Sequence, residues 1–122
     1  MNNLVSIAIS DIGKTITGKT PSSNNPKDFG DKYLFVTPTD SFDNKFIYKT
    51  ERYLSEVGLQ RLATKTLPPF SVMVTCIGSA MGKVALNKSR CITNQQINSI
   101  CVDNTKFDSD YIYYAVLNNY KV

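Results

Sequence analysis

With 122 residues, 42% apolar and 20% charged, the chain is sized and composed for one folded domain with a packed core, not for a disordered tail or a complete doubly wound ATPase. Its 14 basic and 10 acidic residues leave a formal charge of +4, which suits a polyanionic partner but falls far short of a histone-like density. There is no histidine, so the usual general base for serine or cysteine chemistry is missing.

No apolar run is long enough to cross a bilayer, and MNNLVSIAISDIG lacks the basic start and long apolar middle of a signal peptide. A cytoplasmic protein without membrane contact is expected. Cys76, Cys91 and Cys101 are odd in number and widely spaced, which argues for small buried hydrophobes and against a metal site.

In chain order, LVSIAI (residues 4–9) reads as a strand running into a turn at Asp11 and Gly13. Residues 18–30, rich in Ser, Asn, Pro and Gly, form a long polar loop. YLFVTPTD is a short strand stopped by Pro38, and FIYKTERYLS alternates as one further strand. Ser55 caps a short helix whose apolar side is Val57, Leu59 and Leu62. FSVMVTCIG is the strongest buried strand, with GKVAL as its continuation or hairpin partner. CITNQQINSICV has apolar ends around a polar knot, and Asp108 caps a final helix presenting Ile112, Ala115 and Val116. The order predicts an α+β single domain: a curved, mixed or mostly antiparallel sheet with long polar loops and two short peripheral helices.

GKTITGKT fits the phosphate-loop pattern through Gly13, Gly18, Lys19 and Thr20. A phosphate loop works because a helix begins at its end and turns free N–H groups toward the anion. Here PSSNNPK follows, without apolar periodicity and with a second proline, so no helix is expected. Both GK pairs read better as turns carrying positive charge. A nucleotide-binding protein using Gly13 to Thr20 is nevertheless one alternative; a protein–protein assembly module is another.

Three polar groups carry side chains suited to duplex DNA: Lys19, Thr20, Ser22, Ser23, Asn24 and Lys27; then Lys49, Thr50 and Arg52; then Ser79, Lys83, Thr93, Asn94, Gln95 and Gln96. Lys and Arg suit phosphates and guanine edges, while Asn and Gln pair with adenine. Each group also has a plain structural reading as solvated loop, exposed strand face or Asx turn.

The succession TGKTPSSNN, YLFVTPTD, ERYLSEVGL, LPPFSVMVTCIGSAMGKVAL, TNQQINSI and a closing YIYYAVL helix resembles a target recognition domain of the specificity subunit of type I restriction-modification systems. The resemblance runs from Ile12 to Leu117 and is most specific at residues 17–21, 72–86 and 93–100. It implies a non-catalytic, cofactor-free module reading one half of a split DNA target. Its partners would be double-stranded DNA, methyltransferase subunits and, in the complete complex, an ATP-dependent motor-nuclease subunit. In such systems two recognition domains are separated by helical spacers, and the complex methylates adenine with S-adenosylmethionine. Residues 1–122 are therefore expected to be a single DNA target recognition domain, with the spacer helices and second recognition domain absent. Lys19, Thr20, Lys49, Arg52 and Lys83 are expected to meet phosphates or guanine, and Asn24, Thr50, Ser79 and Asn94 base edges or positioning roles. Gln95 and Gln96 are expected to support the loop at Gly78 to Gly82.

Overall fold

The sequence VMVT forms β6 (Val72–Thr75), and all four of its residues are buried. Alternation cannot appear in a strand covered on both faces, which is why Val72, Met73 and Val74 are consecutive apolar residues and even Thr75 is buried. Its hairpin partner is β7 (Val84–Asn87), in register Val72↔Leu86 and Val74↔Val84. The computed structural model describes residues 9–40, 42, 44–75 and 83–119. The remaining strands are β1 (Gly13–Thr17), β2 (Phe29–Gly30), β3 (Tyr33–Val36), β4 (Phe46–Ile47), β5 (Arg52–Leu54), β8 (Cys91–Thr93) and β9 (Ile97–Val102). The helices are α1 (Ile9–Ile12), α2 (Glu56–Arg61) and α3 (Ser109–Asn119).

The strands make two sheets rather than the one expected from the sequence, in orders β1-β9-β6-β7-β4 and β2-β5-β3-β8. Each is antiparallel apart from one parallel pair, β4 with β7 and β3 with β8. Ile16, Met73, Ala85 and Ile97 of the first sheet pack with Leu34, Val36 and Cys91 of the second. On the outer face of the first sheet, Val72, Val74, Val84, Leu86 and Ile100 pack with Ile112 and Tyr113 of α3. On the outer face of the second, Phe35, Leu54 and Ile92 pack with Leu59 and Leu62 beside α2. The result is helix, sheet, sheet, helix, each interior side chain contributing about 1.5–3 kcal/mol of burial.

FIYKTERYLS is two short strands, not one. Ile47 pairs with Asn87 in the first sheet, whereas Arg52 pairs with Phe35 in the second. The break lies at Thr50, whose hydroxyl donates to Arg52 O at 2.6 Å and turns the chain between sheets. Val57 is exposed, so the apolar side of α2 is Leu59 and Leu62 alone. Ser55 caps α2 as expected, accepting from Gly58 N–H at 3.1 Å. Asp108 likewise caps α3, its carboxylate accepting from Asp110 N–H at 3.1 Å. A helical turn occupies Ile9–Ile12, while residues 4–8 of the expected first strand and Cys76 lie outside the described residues. Cys91 is fully buried, and burial pushes its thiol up to about 12; Cys101 is half-buried. Among the described residues no helix is long and apolar enough to cross a membrane.

Two polar devices hold one end of this frame. Buried Asn87 accepts from Ser71 N–H at 2.7 Å and donates to Pro68 O and Ser89 O, both at 2.9 Å. Asn87→Ala leaves those backbone groups unpaired in the interior and should cost about 2–3 kcal/mol, read as a lower urea midpoint with unchanged slope.

At the surface, Glu56 accepts from Gln60, Lys32 and Tyr33, which hold its carboxyl down at about 2. The folded pKa lies below the unfolded one, so this stabilisation is complete above pH 4.5 and is lost as pH falls toward 2. Glu56→Gln should flatten the dependence of the unfolding midpoint on pH across that interval.

Candidate nucleic-acid interface

The site is built from the ends of strands that all finish on one side. In the first sheet Thr17 ends β1, Thr75 ends β6, and the start of β9 pairs with both through Thr17↔Asn98 and Thr75↔Ile97. Lys83 stands at the start of β7, its N–H donating to Thr75 Oγ1 at 3.0 Å. In the second sheet the parallel pair β3 and β8 ends at Val36↔Thr93.

The two sheets meet at Gly18. A Cβ there would overlap Thr93 O, Thr93 Oγ1 and Asn94 O, so only glycine allows this approach. The contact is then closed by hydrogen bonds: Gly18 N–H to Ile97 O at 3.3 Å, Lys19 N–H to Thr93 O at 2.9 Å, and Asn94 N–H to Val36 O at 2.9 Å. Side chains repeat the link. Thr17 Oγ1 donates to Asn98 Oδ1 at 2.5 Å, and Thr20 Oγ1 to Gln95 Oε1 at 2.7 Å.

Asn94, expected at a base edge or in a positioning role, makes the Asx turn that was the plain structural reading of TNQQ, accepting from Gln96 N–H at 3.1 Å. Its Oδ1 therefore positions the turn. Gln95 supports the loop at Thr20, where support of Gly78 to Gly82 was expected; that loop, with Ser79, lies outside the described residues.

The second polar group joins through Asp40. Its carboxylate accepts from Thr37 N–H at 2.8 Å, closing the turn after β3, and from Glu51 N–H at 3.0 Å. Thr50 is thereby placed beside that turn, with exposed Lys49 just before it. Asp40 was missed from the sequence, although TPTD directly after a strand is the signal of a carboxylate-closed turn.

Arg52 is exposed on the second sheet's outer face, its guanidinium 3.9 Å from the centroid of Phe29 and 5.7 Å from that of Phe35. Stacking holds the plane while leaving its edges available to an acceptor. Asn24 lies further along, in the turn where its N–H donates to Ser22 Oγ at 3.2 Å. Lys27 is carried to the opposite end, its carbonyl accepting from Ser55 Oγ at 2.7 Å.

The phosphate-loop geometry does not form. Gly13–Thr17 is a strand, and the first helical residues after Thr20 are the short 3₁₀ turn Pro26–Asp28. Gly13 serves close packing against Cys101 O, as Gly18 does against Thr93.

A sheet pair with one polar loop end is a scaffold, and the sequence decides its lineage: residues 1–122 match the family described as type I restriction modification DNA specificity domain. The chain belongs to this family. It is 37% identical over 109 residues to the type I restriction enzyme HindI specificity subunit of Haemophilus influenzae, covering 89% of this chain and 23% of that protein. The MjaIX specificity subunit of Methanocaldococcus jannaschii is 29% identical over 108 residues, covering 87% and 24%. This specificity domain thus spans about a quarter of the length of these relatives.

Among solved structures, the HsdS subunit from Thermoanaerobacter tengcongensis superposes with a TM-score of 0.67 at 13% identity, over 94% of this chain and 27% of that one. A chain from a study of complex assembly and conformational transition of the type I R-M system gives 0.65 at 13% identity, over 90% and 26%. Both likenesses are of fold.

Gly18→Ala forces the β1 end away from the β8–β9 turn. It should cost about 1–3 kcal/mol, with accelerated hydrogen exchange at Lys19 and Asn94 while α2 stays protected.

Proposed function

We propose that this specificity domain reads one half-site of a bipartite double-stranded DNA target through the loop end formed by residues 17–20, 37–40, 49–51, 83 and 93–98. The carrying observation is the convergence of loops from both sheets at Gly18 and Thr93, which gathers residues from all three polar groups on one rigid end. Recognition residues placed on loops held by a rigid frame can vary without disturbing the core.

Lys19, Lys49 and Lys83 serve as phosphate contacts, which position the domain without reading sequence. Arg52, pre-oriented by Phe29, takes a guanine edge or a phosphate bidentately. Asn24 and Ser79 are assigned to base edges, and Thr50, Asn94 and Gln95 hold the loops that present them. The domain itself contributes no catalytic group. Methyl transfer and ATP-driven cleavage belong to methyltransferase and motor-nuclease partners, and the setting is cytoplasmic.

Binding to a randomised duplex, followed by anisotropy over a salt series, tests the surface. Lys19→Ala, Lys49→Ala and Lys83→Ala should each lower the slope of log K against log salt by about one. Arg52→Ala should weaken binding by about 1–3 kcal/mol at fixed salt. Unchanged affinity and slope in the combined lysine variant would remove the loop end as the DNA-binding face. ATP should leave the melting temperature unchanged.

A further inference from the structure

At the opposite end of the strands the chain twice crosses between the sheets, and a cavity of about 410 Å³ lies at that seam. Its lining is Lys32, Tyr33, Pro69, Lys88, Ser89 and Arg90, three cations and two hydroxyls with no carboxylate among them. Tyr33 begins β3 whereas Val36 ends it at the loop cluster, so the two regions stand about 10 Å apart along the strands. This seam is a different place from the proposed reading end.

The lip of the cavity is held from within. Residues 88–90 link β7 to β8, and buried Asn87 donates to Ser89 O at 2.9 Å, while Lys88 N–H donates to Ile47 O at 3.1 Å. The facing lip, Pro69, precedes Phe70, whose φ of 64° is left-handed for a residue with a bulky side chain. Phe70 N–H donates to Asn87 O at 2.8 Å, so the same asparagine fixes both lips. Backbone held in a costly conformation by hydrogen bonds to a buried side chain is a feature of prepared sites.

The chemistry at the rim selects an anion. Lys88 Nζ lies 4.5 Å from the Phe46 centroid, a contact that holds the ammonium without neutralising its charge. Arg90 is exposed on the turn, with the planar fork that fits tetrahedral oxyanions. Lys32 and Tyr33 are both held by Glu56 Oε1, at 2.6 and 3.0 Å, so that one carboxylate at the edge restrains two of the donors.

We propose that this seam cavity binds a phosphate group, with Arg90 and Lys88 as primary cations and Lys32, Tyr33 and Ser89 as further donors. The proposal is independent of the DNA reading. The phosphate belongs either to a small free anion or to a nucleic-acid backbone reaching this end.

The test is titration of the full 122-residue chain with inorganic phosphate, at ionic strength held constant with chloride, followed by amide NMR. Saturable shifts are expected at Lys32, Tyr33, Lys88, Ser89 and Arg90. Arg90→Ala, on an exposed turn, should weaken the binding about tenfold with the rest of the spectrum unchanged. Glu56→Gln should tighten it several-fold by releasing Lys32 and Tyr33. Absent shifts, shifts reproduced by chloride, or equal affinity in wild type and both variants would overturn the site. A duplex titration of the Lys19→Ala/Lys49→Ala/Lys83→Ala variant then separates the sources. Phosphate-displaceable shifts at the seam identify a backbone phosphodiester, and their absence identifies a small free phosphate.

Discussion

Gly18 carries no side chain, and for that reason the chain leaving β1 can lie directly against Thr93 and Asn94 at the end of β8. The approach joins the two sheets at one end. The Lys19 N–H to Thr93 O bond ties β1 of the first sheet to β8 of the second, and the Asn94 N–H to Val36 O bond extends the tie to β3. With those three chain ends fixed, the side-chain pairs Thr17 with Asn98 and Thr20 with Gln95 fall into register beneath the loops. The stretch GKTITGKT is therefore glycine-punctuated for packing. Its likeness to a phosphate loop comes from two close approaches, Gly13 to Cys101 and Gly18 to Thr93.

Where the sequence was legible, a local cause was sufficient. Val72, Met73 and Val74 follow one another without alternation because both faces of the strand are covered, and such a continuous run signals that burial whatever its neighbours. Ser55, Asp108 and Asn94 act within a few residues of themselves, so capping and Asx chemistry can be read from the letters alone. The division into two sheets has no local cause. It depends on whether Phe46 meets Leu86 and Arg52 meets Phe35, contacts between residues distant in sequence. FIYKTERYLS therefore reads as one alternating strand, although its halves belong to different sheets. Val57 follows the helical period of α2 but faces solvent, since a six-residue helix resting on one sheet needs only Leu59 and Leu62 inside.

The interface divides the same way. Residue types identified Lys19, Thr20 and Lys83 as candidates, but only the topology brings them to one end. Asp40 joins that end by accepting from two backbone N–H groups, a role invisible until Glu51 is found beside it. Arg52 was legible as a cation, and its orientation over Phe29 was not, because β2 and β5 pair across the intervening strands β3 and β4. The opposite end carries a second, separate concentration of positive charge at the seam of the sheets. A small domain of net charge +4 thus places cations at both ends of one frame, on loops at one and around a seam pocket at the other.

The most direct measurement replaces one recognition domain of a working type I methyltransferase by residues 1–122 and maps methylated adenines across the host genome. The account predicts a new half-site, with the other half of the target unchanged, and a change in its bases when the loops around Lys19 and Lys83 are exchanged for those of a relative. A folded, assembled chimera that methylates no site would contradict it, as would a half-site indifferent to those loops.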